Sequence, residues 1–314
     1  MESSNNWVSV NLFIPGAAKS GTSTLHDLLN FHPDICMSSV KEPYYWINNN
    51  FSEYTEKDYS LYSSYFASKS NTKYRGESST AYMLFPNFIE RIKKHNNTAD
   101  LKFIFILRNP IDRLYSHYWE LKGSGYEYSE FRNAVLYDKY IEPNPMTRSP
   151  EGRFKHYYQY GLYGKWLQSF FSEFDRKKIK IILFEDLKDA PLNTVNECLA
   201  FLGLSKMETI PIQHSNKTII LKYPKIYNWF FLATKGKIDS IKPIYKIFPK
   251  SLRTLIKKPI LNIIIKLTKT DKQYPKLSST DREWIKNMYI DDFKLLKELT
   301  DISFSKWKDF NSEL

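Results

Sequence analysis

Short, wholly apolar runs bounded by polar residues alternate along this chain with stretches whose apolar positions recur every three or four residues. The runs fall at Leu12 to Pro15, at Lys102 to Leu107 (KFIFIL) and at Ile179 to Phe184 (IKIILF), and they read as strands buried on both faces, as parallel strands are. The periodic stretches fall at Thr22 to Phe31, Phe88 to Lys94, Ile111 to Glu120, Tyr163 to Phe171 and Leu192 to Leu202, and their spacing predicts helices. This alternation predicts an α/β fold of three layers, a central and mainly parallel sheet flanked by helices. The pattern changes between Tyr223 and Lys276, where Pro224, Pro243, Pro249 and Pro259 interrupt short helical patterns. The segment of about 220–276 is therefore expected to form a helical lid within a single domain spanning 1–314. A last helix is expected in KLSSTDREWIKNMYIDDFKLLKEL, entered through a Ser or Thr cap ahead of Asp281 and Glu283.

The first strand runs into IPGAAKSGTSTLHDLL, residues 14–29. Gly16, Gly21 and the small Ala17, Ala18 and Ser20 let a ligand approach the backbone closely, and the helix that follows offers unpaired N–H groups and a positive dipole end. Lys19 adds a full positive charge, so the turn is expected to hold an anion. The nucleotide phosphate loop has the order G-x-x-x-x-G-K-[ST], whereas here Lys19 precedes the second glycine, which makes the turn P-loop-like without being that motif. A plain strand-to-helix turn would account for the glycines and leave the lysine and the hydroxyls unexplained.

A second anion site is expected in KFIFILRNPIDRLYSHYWEL, residues 102–121, where a strand ends at Arg108, Pro110 introduces a helix and Ser116 falls in its first turns. A guanidinium fork and a hydroxyl over a helix N-terminus suit a phosphate monoester. Two anion sites at one sheet edge imply a nucleotide phosphorylated at two places.

Composition narrows the remaining classes. Hydrophobic content of 42% over 314 residues is enough for a sizeable core. Cys36 and Cys198 are too few for a disulfide framework or a thiolate metal site, and the six histidines are scattered, so no metal is expected. The stretch MESSNNWVSVNLFIPG has no basic n-region and no apolar run reaches the length of a membrane span, from which a cytoplasmic protein is expected. The net charge of +12 is concentrated between Ser215 and Leu277, where 15 Lys and Arg face only Asp239 and Asp271. Such a segment suits an anionic acceptor or an anionic membrane surface, which would put the protein at the inner face of a membrane, and it equally suits a set of solvated helix faces. A nucleic-acid partner is not expected.

The segments KSGTSTL, HPDICMSSVKEPYYW and LRNPIDRLYSHY, followed in order by IILFEDL, CLAFLGL and the terminal YPKLSSTDREWIKNMYIDDFKLLKELTDISFSKW, together resemble sulfotransferases that use 3′-phosphoadenosine 5′-phosphosulfate (PAPS). The likeness covers most of the chain and is closest to the branch containing the heparan sulfate sulfotransferases and their bacterial relatives. It implies transfer of the sulfuryl group to a hydroxyl, or to an amine, of a carbohydrate, glycolipid or small-molecule acceptor, with 3′,5′-bisphosphorylated adenosine (PAP) as product and no metal.

By the same resemblance Lys19, Ser20, Gly21, Thr22, Ser23 and Thr24 bind the 5′-phosphosulfate, with Lys19 catalytic, and Arg108 and Ser116 hold the 3′-phosphate. An acceptor hydroxyl must lose its proton as it attacks, and Glu42 stands where the heparan-type branch has its glutamate base. Lys41 beside it keeps that carboxylate ionised or touches the acceptor. Lys217 in HSNKT, with Lys269 and Lys272 in KTDKQYP, falls in late loops that resemble those closing over the nucleotide, although the glycine and arginine of the second loop are missing. In GESSTAY, residues 76–82, Ser78 stands where related sequences often have a lysine.

Histidine is the rival base, used by cytosolic small-molecule sulfotransferases; His26, His32 and His117 are read here as structural, with His117 facing the surroundings of its helix. The pair Glu185 and Asp186 in IILFEDL also looks like the magnesium-binding strand end of a phosphate-loop kinase. An ATP-dependent kinase, and an inactive protein that binds a membrane through its basic segment, are the alternatives.

Overall fold

Strands β1 (Leu12–Phe13), β2 (Ile35–Met37), β3 (Tyr74–Glu77), β4 (Lys102–Leu107) and β5 (Ile179–Leu183) pair in the order β2-β3-β1-β4-β5, each pair parallel. The structure is a computed structural model that describes residues 10–95, 98–144, 154–211, 220–234, 269–270 and 273–313, with the single positions 238, 259 and 263. Leu12 lies opposite both Gly76 of β3 and Lys102 of β4, which places β1 between the two.

Side chains alternate between two cores, as the period of two along a strand requires. Leu12, Ile14, Ile104, Ile106 and Ile182 enter one core with Leu25 and Leu28 of α1 (Thr22–Asn30) and Val195 and Leu199 of α8 (Pro191–Phe201). Phe13, Phe103, Phe105 and Leu183 enter the other, against Phe88 of α3 (Pro86–His95), Leu114 of α4 (Pro110–Gly123), Phe170 of α6 (Tyr163–Glu173) and Phe293 of α10 (Ser279–Leu299). Helices on both faces of a parallel sheet make the three-layer α/β fold that the sequence pattern predicts. The shorter helices α2 (Glu56–Ser64), α5 (Phe131–Lys139) and α7 (Phe184–Asp189) complete the layers.

In the five-stranded sheet β3 carries no apolar run. β3 reads YRGE and packs because Gly76 has no side chain: a Cβ there would lie 2.5 Å from Met37 Sδ and 3.2 Å from Leu12 Cδ2. Its last residue, Glu77, is fully buried. The expected lid lies largely outside the described residues; those described include a two-residue antiparallel pairing of β6 (Ile220–Leu221) with β7 (Lys269–Thr270), and α9 (Pro224–Thr234). Among the described residues no helix is long and apolar enough to cross a membrane.

α10 begins where its sequence announces, with Ser278 Oγ accepting from the Asp281 amide at 3.0 Å. It is locked onto α6 by Asp292, whose carboxylate accepts from the Gly164 and Lys165 amides at 2.9 and 2.8 Å, satisfying first-turn donors of that helix. Asp292→Ala is expected to leave two N–H groups without acceptors and to cost about 2 kcal/mol, read as a lower urea midpoint at unchanged slope.

Candidate active site

The chain leaving β1 is stitched to its neighbours before it turns. The Ala17 amide donates to Ile106 O at 2.9 Å, the Ile106 amide donates to Gly16 O at 3.0 Å, and the Met83 amide donates to Pro15 O at 3.0 Å. Lys19 follows in the left-handed region at φ 66°, and Gly21, at φ 88°, opens α1 as an N-cap with no side-chain oxygen to offer. The first-turn N–H groups of α1 therefore point at the space beyond without a cap. A Cβ on Gly21 would lie 2.9 Å from Phe184 Cδ2, so the glycine lets the Phe184 ring close over the turn, where it also faces the Arg108 guanidinium at 4.9 Å.

A cleft of about 420 Å3 opens along this edge. Its wall brings together Lys19, Gly21, Thr22, Ser23 and Thr24 from the turn and α1, Lys41 and Glu42 from the segment after β2, Arg108 from the end of β4 and Ser116 from α4. Ser20 is not part of the wall, because its side chain turns inward and is fully buried. Lys217 and Lys272 lie outside the described residues, and of Lys269 only the backbone, in β7, is described.

Charges of both signs are interleaved here. Lys19 Nζ lies 3.4 Å from Glu120 Oε1, both groups being partly exposed, while Arg108 Nη1 donates to Lys19 O at 3.1 Å and the Tyr163 hydroxyl to Arg108 O at 2.8 Å. Lys41 Nζ donates to Ser23 Oγ at 2.9 Å, tying the segment after β2 to the first turn of α1. Glu42 Oε2 accepts from the Thr80 amide at 2.9 Å and Oε1 from the Thr80 hydroxyl at 3.1 Å. Burial raises the Glu42 carboxyl above the usual carboxylate range, against the opposing pull of the Lys41 charge and the Thr80 hydrogen bonds. Burial lowers Lys41, opposed by Glu42 and Asp27. A carboxylate so placed can accept a proton, and a lysine and an arginine beside an uncapped helix start can hold an anion.

Backbone strain is concentrated at the same place. Among the described residues the non-glycine positions with positive φ are Lys19, Glu42, Tyr44 and Asn71, and the first three line the cleft. Such conformations cluster where structure serves a site.

The histidines separate by environment. His26 Nε2 lies 3.2 Å from Ser38 O and Nδ1 2.8 Å from Ser78 Oγ; because a carbonyl only accepts, the ring carries its proton on Nε2 and takes the Ser78 hydroxyl proton on Nδ1. Burial, helped by the Lys41 charge, lowers His26 to about 4. His32 is buried, with Nδ1 accepting from the Asp34 amide at 3.2 Å. His117 departs from the expectation that it faces the surroundings of its helix: it lines the cleft, with its ring 5.0 Å from Tyr157 and 5.7 Å from Tyr160. The reason is the helical stripe Ser116, His117, Glu120 and Leu121, which turns one face of α4 to the cleft.

Glu120 was within reach of the sequence, being one helical turn past Ser116. Thr80, Tyr44, Phe154 and Tyr160 were not, because no pattern along the chain says which segments will meet at this edge. Glu185 and Asp186 are engaged in the scaffold. Glu185 accepts from the Asn109 amide and the Trp307 indole, both at 3.1 Å, and Asp186 pairs with Lys306 at 2.8 Å.

Comparison with known proteins bears on this arrangement. The family model described as the sulfotransferase domain matches residues 10–224. Carbohydrate sulfotransferase 15 of Homo sapiens is similar at 24% identity over 293 residues, covering 77% of this chain and 50% of that protein. The chain thus spans about half the length of the curated relatives it matches first. A solved sulfotransferase from Alicyclobacillus acidocaldarius is similar at 25% identity with a TM-score of 0.54, covering 78% of this chain and 98% of that one. The membrane-associated sulfotransferase kil1 of Dictyostelium discoideum matches at 32% identity over 111 residues, 34% of this chain and 22% of that protein. The cytoplasmic location expected from the sequence is corrected by these findings, since one relative is itself named as membrane-associated and none supports that assignment.

The His26 environment has a consequence for stability. A histidine whose pKa is depressed from 6.5 to about 4 on folding contributes stability above pH 6.5 that is lost as the pH falls through 4. Unfolding free energy is expected to decline by about 3 kcal/mol over that window, and His26→Gln to flatten that part of the slope in urea titrations repeated across pH.

Proposed function

The chain belongs to the sulfotransferase domain family, and on that premise we propose that it transfers the sulfuryl group of PAPS to a hydroxyl of a carbohydrate-containing acceptor, releasing PAP. One juxtaposition carries this reading: Lys19, Arg108 and Glu42 meet in a single cleft over the uncapped start of α1. Lys19 and the first-turn N–H groups suit the 5′-phosphosulfate, and Arg108 with Ser116 suits a 3′-phosphate one strand away. The name of carbohydrate sulfotransferase 15 supports a sugar as acceptor.

In the proposed reaction the acceptor oxygen attacks sulfur in line with the oxygen that links sulfur to phosphorus. The O–S bond to the acceptor forms as the S–O bond to the nucleotide breaks. The electron pair of the broken bond stays on the nucleotide oxygen, where Lys19 offsets the developing charge, and the hydroxyl proton passes to Glu42. The protein forms no covalent bond in this scheme; positioning and electrostatics do the work, as in phosphoryl transfer. Glu42 is suited to the task because burial raises its proton affinity while Thr80 fixes both of its oxygens.

A second feature supports contact with an anionic lipid surface. On and beside α9, Tyr223, Ile226, Trp229 and Phe230 are 47%, 50%, 49% and 37% exposed, and the exposed Lys222 and Lys225 accompany them. Apolar and cationic side chains on one short helix suit the headgroup boundary of a membrane.

The donor is tested by heat denaturation. PAP at a hundredfold its dissociation constant is expected to stabilise the wild type by about 2.7 kcal/mol without magnesium, and Lys19→Ala and Arg108→Ala are expected to lose most of that gain. Stabilisation by magnesium ATP in place of PAP would overturn PAPS as the donor. Transfer of 35S from labelled PAPS is then scored on unsulfated chondroitin and heparosan oligosaccharides, with Glu42→Gln expected to slow transfer by about 100-fold or more. An unimpaired Glu42→Gln enzyme would remove Glu42 from the role of base. For the lipid surface, phosphatidylglycerol vesicles at low salt should sediment the wild type but not Trp229→Ala with Phe230→Ala; equal sedimentation of both excludes α9 as the contact.

A further inference from the structure

Glu77, the last residue of β3, is fully buried and does not line the cleft, yet three hydroxyls donate to its carboxylate. Tyr62 of α2 and Tyr82 donate to Oε1 at 2.7 and 2.9 Å, and Ser79 donates to Oε2 at 3.1 Å. Each hydroxyl oxygen accepts in turn from the segment that carries Glu42. The Tyr44 amide donates to Ser79 Oγ at 3.3 Å, the Trp46 amide to the Tyr82 hydroxyl at 3.3 Å, and the Trp46 indole to the Tyr62 hydroxyl at 3.0 Å. Every hydroxyl is thereby both donor and acceptor, and the chain of bonds has a direction that the carboxylate sets.

A buried carboxylate is an expensive way to fill a core, since an apolar group of similar volume often serves stability as well or better. What an apolar residue could not do is orient three hydroxyl protons inward, so that all three oxygens present lone pairs to the segment after β2. That segment needs outside support because Glu42 and Tyr44 both sit at φ 53°, in the left-handed region.

We propose that Glu77 is a positioning residue for Glu42, acting through Ser79, Tyr82 and Tyr62 to clamp residues 42–46 and so present the Glu42 carboxylate to the cleft. The inference rests on the reading of Glu42 as the base. The titratable groups acting on Glu77 are Tyr62, Tyr82 and Glu42, and those acting on Glu42 are Lys41 and Tyr44. Burial pushes Glu77 up to about 7, against the three hydroxyl bonds, with a further push from the Glu42 charge. The clamp therefore acts on Glu42 through the position it holds rather than through charge, since Glu42 is already ionised where Glu77 titrates.

The test is a carbon NMR titration of protein labelled with glutamate 13C at the carboxyl position, which needs no acceptor. The resonances lost in Glu42→Gln and in Glu77→Gln assign the two groups. In Glu77→Gln the Glu42 midpoint is expected to fall by about 0.5 pH or more, because the loosened clamp no longer holds the carboxylate in its buried position, burial being what raises it. Ser79→Ala, a smaller change that keeps the charge, is expected to displace the Glu42 chemical shift and to raise the Glu77 midpoint; it decides the matter alone if Glu77→Gln does not fold. A Glu42 resonance with wild-type shift and midpoint in the folded variants overturns the inference. The transfer assay on Glu42→Gln is separate: full activity there removes the base reading even where the two carboxylates are coupled, while a dead Glu42→Gln with an unmoved Glu42 resonance removes only the role of Glu77.

Discussion

Parallel pairing of β1 with β3 on one side and β4 on the other is the constraint from which the cleft follows. Strands that run the same way end at the same edge, so whatever follows Phe13, Glu77 and Leu107 must meet there, however far apart those residues are in sequence. The ladder continues past the strand ends, with Ile106 exchanging both hydrogen bonds with the turn after β1 and the Ser38 and Glu42 amides donating to Gly76 O and Ser78 O. The segments after β1, β2, β3 and β4 are thus fixed against one another by backbone bonds before any side chain contributes. Alternation of Leu12 and Phe13 between the two cores holds β1 in that register, because a slip of one residue would exchange the faces.

On this frame the electrostatics solve a second problem. A cleft lined by cations alone would repel itself and weaken the folded state, whereas here Lys19 has Glu120 and Lys41 has Glu42 within reach. The pairing with Glu120 is partly exposed and therefore weak, so an arriving anion displaces it at small cost. The Lys41 and Glu42 pair is more deeply set, and it matters for proton affinity more than for binding: the lysine charge pulls the carboxylate down while burial pushes it up. Buried Glu77 is bonded through three hydroxyls to the segment that carries Glu42.

Much of this was legible in the sequence because the informative residues are local. The strand KFIFIL, the turn around Lys19 and the helix opened by Pro110 are each readable from a dozen residues, and their common position at the carboxyl edge follows from the α/β pattern. β2 and β3 were not legible: ICM is too short, and YRGE is a strand only because Gly76 fits between Met37 and Leu12 and because Glu77 finds three hydroxyls. Thr80, which holds both oxygens of Glu42, is equally silent, since its partner lies before α2 in the chain and reaches it only through the pairing of β2 with β3. That buried His117 also lines the cleft is not legible either, because only the rotation of α4 shows that its face is shared with Ser116.

The left-handed residues tie these levels together. A non-glycine residue held at positive φ costs about 1–2 kcal/mol, and a glycine at the same position would remove that cost. Asn71, away from the cleft, is a residue type that tolerates the conformation. Lys19, Glu42 and Tyr44 are not, and each is held by a bond to a neighbouring segment: Arg108 donating to Lys19 O, the Glu42 amide to Ser78 O, and the Tyr44 amide to Ser79 Oγ. The two segments that supply those bonds follow β4 and β3, brought to β1 by the parallel register. A chain selected for stability alone would place glycine at these positions; this one keeps a lysine, a glutamate and a tyrosine, and the strain is the cost of having their side chains in the cleft.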